Sequence, residues 1–125
     1  MKTTIYSQHY EHTEWLNKLS FYVDEISVMQ TRIDEIAQKN TAKEVKIKIE
    51  HFQNQFLIQK NNVDAIKHHI KQDEKLLQNN IMKNETAVDH RKIEDHAKER
   101  EDIEGFETNF NNLRKEFNLF LSEWM

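Results

Sequence analysis

Residues 36–45 read Ile-Ala-Gln-Lys-Asn-Thr-Ala-Lys-Glu-Val, and this stretch decides the fold. Asn40 suits the left-handed position that often ends a helix. Thr41, followed three residues later by Glu44, has the spacing of a capping box, in which hydroxyl and carboxylate each satisfy a free backbone N–H at a helix start. So short a break between two long periodic segments folds the second back against the first.

Before the break, Trp15, Leu19, Tyr22, Ile26, Met29, Ile33 and Ile36 alternate at spacings of four and three, which is a heptad seam. Leu16 and Val23 widen it, as a helix with two neighbours requires. After the break the seam is Val45, Ile49, Phe52, Phe56, Gln59, Val63, Ile66, Ile70, Asp73 and Leu77. Asn79 and Asn80 then mark an expected end. A third seam runs through Ile103, Phe106, Phe110, Leu113, Phe117, Phe120 and Trp124. Its start is open: Thr86 with Asp89 could cap it, or it could begin near Asp95. The reading is a single all-α domain over residues 1–125, an antiparallel three-helix bundle of long coiled-coil-like helices at about 7–39, 42–78 and 87–124.

Composition agrees. One glycine and no proline leave little turn chemistry for a β fold, while 32% charged and 37% hydrophobic residues suit amphipathic helices. The lone Gly105 falls mid-helix, where it invites a close helix contact. With no cysteine, disulfides, thiol catalysis and thiolate metal sites are excluded. No apolar run reaches the ~20 residues of a membrane span, and the first residues lack a signal-peptide core, so the expected location is cytoplasmic. The net charge is −4, and residues 85–104 alone hold eight acids against four bases. No basic field for nucleic acid results. The row Lys67, Lys71, Lys75 is expected to pair with that acidic segment.

Register makes the opposite end of the bundle informative. With the turn near 40–41, position n of the first helix lies level with position 81 − n of the second. Gln59 then faces Tyr22, where a hydrogen bond would fix register. Extended toward the far end, the three seams lose their apolar character together, at His12, at Asp73, and at Glu99 and His96. His69 lies four before Asp73 on the same face. His9, Glu11, His68, His90 and Asp95 lie nearby, so six of the seven histidines gather there, His51 being the exception.

Imidazole and carboxylate at helical spacings of three and four are ligands for zinc, iron or manganese. The candidate metal ligands are therefore His12, His69, Asp73, His96 and Glu99. The Glu-x-x-His pairs of di-metal bundles do not occur. A plainer account is a bundle end closed by polar groups, and a third is a proton-responsive switch. No phosphate loop or nucleophile elbow points to catalysis. A small enzyme using the same residues around a metal is the weakest alternative. Two functional expectations remain. One is a non-enzymatic bundle acting through protein–protein contacts, by self-association or with a partner, through the apolar surplus at Leu119, Phe120, Leu121, Trp124 and Met125. The other is a metal-binding bundle.

Overall fold

The computed structural model describes residues 5–83 and 90–124, all but the short turn within three α-helices: α1 (Ile5–Lys39), α2 (Lys43–Lys83) and α3 (His90–Trp124). At ~1.5 Å per residue, the 35-, 41- and 35-residue helices form a rod roughly 50–60 Å long. No described helix is long and apolar enough to cross a membrane.

Helix directions follow from the polar contacts. Lys18–Glu107, Glu11–Arg100 and Glu25–Arg114 all pair residues 89 apart, so α1 and α3 run parallel. Lys48 meets Glu123 while His51 meets Glu116, so α2 runs antiparallel to α3. The three-residue turn reverses α2 against α1.

The expected seams are the core. Every expected α1 seam residue is buried, as are Val45, Ile49, Phe52, Phe56, Gln59, Val63, Ile70 and Leu77 of α2 and Ile103 to Phe120 of α3. Ile66, Asp73 and Trp124 are partly buried. Near the turn, Phe52, Phe56, Phe117 and Phe120 pack as one aromatic group, with ring centroids 5.0–6.3 Å apart. In the middle, Tyr22 meets the edges of Phe106 and Phe110.

Five local expectations change. Asn40 keeps a negative φ, and its Nδ2 and backbone N–H both donate to the Ile36 carbonyl at 3.0 Å. The side chain thus serves a free carbonyl without a left-handed residue. The first intrahelical bond of α2 runs from Lys46 N–H to the Ala42 carbonyl, so the N-cap is Ala42, one residue past Thr41. α2 continues through Asn79 and Asn80 to Lys83, because asparagine disfavours helix by well under ~1 kcal/mol and neither Gly nor Pro intervenes. Gly105 is solvent-exposed and a Cβ there would meet nothing within 4 Å, so it marks no close contact. Tyr22 donates its hydroxyl to Glu107 of α3 at 2.9 Å rather than to Gln59, whose Oε1 is buried without a partner. α3 begins at His90 among the described residues. The Thr86–Asp89 cap lies outside them, as does the side chain of Met125.

Candidate metal centre

The three seams bring their polar positions to one level of the rod, inside it rather than at a frayed tip. Gln8, His12, His96 and Glu99 are all 5% exposed or less. Trp15, Ile70 and Ile103 are buried on the side toward the turn, and Leu77 is buried one turn beyond Asp73. The polar layer therefore has apolar packing on both sides along α2. That is a different object from a solvated bundle end, because burying a polar group without a partner costs a few kcal/mol.

Each histidine is held from its outer side. His12 Nδ1 lies 2.8 Å from Glu74 Oε2, and the other oxygen of Glu74 bonds His9 Nδ1. His96 Nε2 lies 3.0 Å from Glu11 Oε1. Glu11 is itself clamped by Arg100, whose Nη2 donates to both carboxylate oxygens at 2.7 Å. Trp15 lies against the His96 ring at a centroid distance of 4.8 Å, and the two imidazoles are 5.1 Å apart.

The inner side is unsatisfied. His12 Nε2, His96 Nδ1 and both oxygens of Glu99 are buried without a hydrogen bond. His12 Nε2 and Glu99 Oε2 are 3.3 Å apart but misaligned for one. His12, His96 and Glu99 can each turn a ligand atom to within 4.8 Å of the other two. A tetrahedral ion with bonds of ~2.1 Å needs edges of ~3.4 Å, which the 3.3 Å His12–Glu99 edge already fits.

The electrostatics match this placement. Burial pushes the Glu99 carboxyl up to about 7; nearby Asp73 adds to the effect and His12 opposes it. Burial also disfavours a charged His12, but the nearby Glu99 carboxylate and the hydrogen bond to Glu74 outweigh it and the net shift is upward. For His96 burial prevails over Glu11, and its pKa falls below the ordinary range. Glu11 is lowered on balance, since Arg100 and His96 overcome its burial. Within the layer, the lowered His96 pKa favours the form that can ligate a metal, whereas the raised Glu99 carboxyl must give up its proton to a cation when it binds.

Of the five expected ligands, the structure gathers His12, His96 and Glu99 in the layer. Asp73 is half-buried beside Glu99, and His69 is exposed. These two line a groove of about 230 Å³ between α2 and α3, together with Lys98, Glu99 and Asp102. His68 is exposed, and the side chains of His90 and Asp95 lie outside the described residues. Sequence reasoning missed the role of Glu74. The assumed register put His12 level with His69, whereas its observed partner Glu74 lies more than a turn further along. The signal was there in Glu74 itself, a carboxylate adjacent to the seam residue Asp73.

No protein family matches this chain, and no curated protein or solved structure is significantly similar to it.

Proposed function

We propose that this chain is a metal-binding helical bundle, taking a divalent zinc, iron or manganese ion on His12, His96 and Glu99. One observation carries the reading: two buried imidazoles, each bonded to a carboxylate at one nitrogen and unpaired at the other, share the core with a buried Glu99 that has no hydrogen bond, and all three offer ligand atoms within 4.8 Å of one another. Carboxylate–histidine pairs of this kind orient metal-bound histidines and raise their basicity. Without an ion the same arrangement leaves four buried polar atoms unpaired, a costly design for a purely structural layer. Untagged protein is expected to carry close to one equivalent of metal by elemental analysis. A chelator should lower its melting temperature, by an amount corresponding to about 3 kcal/mol if the ion is present at ~100 times its Kd. Metal-free preparations that show no thermal shift with zinc, iron or manganese would remove this reading.

A second reading has its own observation. Ile47 and Leu119 are 61% and 68% exposed and border a groove of about 430 Å³ between α2 and α3, floored by Phe52 and Phe120. This is the part of the expected apolar surplus that the fold leaves uncovered, since Phe120 is buried and Leu121 and Trp124 are partly so. A non-enzymatic protein acting through protein–protein contacts, in the cytoplasm, would use this face. Light scattering should then report a dimer or complex that Leu119→Glu dissociates. A strict monomer at high concentration that binds no partner through this face counts against it.

A further inference from the structure

The buried trio is shielded unequally by the three helix interfaces. On the α1–α2 side, Glu74 occupies His9 and His12. On the α1–α3 side, the Glu11–Arg100 clamp covers His96, and Trp15 lies on the ring. A groove lies on the α2–α3 side, and Glu99 belongs both to its wall and to the trio. Asp73, Glu99 and Asp102 set three acidic groups against Lys98 along that groove. Neither His69 nor Asp102 has an ion-pair partner among the described residues. His69 and Asp73 stand four apart on α2, one turn of the helix, so both can engage one cation.

Resting on the metal reading above, we infer that the α2–α3 groove is the route by which a divalent cation reaches and leaves the buried site, with His69 and Asp73 as a transfer pair at its mouth. The centre is then an exchangeable site rather than a closed structural one. Two physical reasons support this. An acidic, partly walled groove concentrates cations and raises association rates by about 10–10³-fold at low salt. An ion losing its hydration shell also needs intermediate ligands, and an imidazole and a carboxylate on the groove wall shared with Glu99 supply them.

Cobalt(II) is a suitable probe, because its visible absorption reports coordination by His12, His96 and Glu99. Stopped-flow loading of the full-length metal-free chain, and removal of cobalt by a chelator, give the two rates. In the His69→Ala/Asp73→Asn double variant, both rates should fall by about tenfold or more, and loading should lose most of its ionic-strength dependence. Lys98→Ala should speed loading. Unchanged rates overturn the inference, and so does faster removal with normal loading, which would make the pair ligands that hold the ion rather than pass it. If the wild-type chain gives no cobalt spectrum sensitive to His12 and His96 substitution, the metal reading itself fails. A normal spectrum with unaltered rates removes the route alone.

Discussion

The two ends of this bundle are closed by opposite means. Near the turn, four phenylalanines interlock with their rings 5.0–6.3 Å apart, and Phe56 and Phe117 are essentially inaccessible. At the far end, the same seam positions hold His12, His96 and Glu99, equally buried but with unpaired polar atoms. Geometry is continuous from one end to the other, because the heptad spacing does not change. What changes is the sign of the contribution to stability. Burial of each phenylalanine favours folding by ~2–3 kcal/mol, whereas each unpaired buried polar group opposes it by ~1–3 kcal/mol. The fold is therefore held by its aromatic end and tolerates its polar layer, the pattern expected where residues are kept for a task other than stability.

The largest test of that contrast is Phe56→Ala. It should lower stability by about 3–5 kcal/mol in denaturant melts, since it removes a wholly buried ring that contacts Phe52 and Phe117. A cost below ~1 kcal/mol would break the assignment of stability to the aromatic end.

Next in size is Glu99→Leu, expected to raise the stability of the metal-free chain by about 1–3 kcal/mol at pH 8 while abolishing any thermal response to metal. pH sharpens it. Glu99 is raised to about 7 from an ordinary 4.5, so its ionisation in the folded chain removes stability as pH rises through that interval. His12 is raised as well, so its contribution is present below 6.5 and lost as pH rises through its folded value. His96 is lowered and acts in the other direction, losing stability as pH falls below 6.5. The large Glu99 shift should prevail, and the metal-free chain should lose stability between about pH 5 and 7, with a slope that Glu99→Leu flattens. A stability that climbs with pH over this range would contradict the buried Glu99.

The smallest effect belongs to neither end. Gly105→Ala should stabilise by roughly 0.5–1 kcal/mol, a rise of a few degrees in melting temperature, because the position is exposed, helical and open to a Cβ. Destabilisation there would mean that α3 uses the glycine in a contact absent from the single chain, such as an interface with a second copy.

Much of this was legible in the spacing of residues. The fours and threes of Trp15 to Ile36, and of Ile103 to Phe120, mark every buried position in those runs. Carried past the apolar residues, the same count reaches His12, Glu99 and His96. Partners across helices were less legible. Tyr22 bonds Glu107 of α3 instead of Gln59 of α2, and His12 bonds Glu74 instead of lying level with His69: the count along α1 was right, but in the first case the partner helix differed and in the second the matching point on it. Asn40 shows the same limit locally: its type announces a helix end, but whether it serves through a left-handed backbone or through its amide depends on the carbonyl within reach.

The sequence by itself determined the three helices, the face each one buries, and the fact that all three seams turn polar together. Those properties follow from periodicity, which is local to each helix. The tertiary structure alone decided that the polar layer lies inside the rod, that Glu74 and Glu11 hold one nitrogen of each of its histidines, and that His69 and Asp73 line a groove instead of joining the buried trio. Those properties depend on the relative height of three rods, which is set by the sum of all their side-chain contacts and written at no single position.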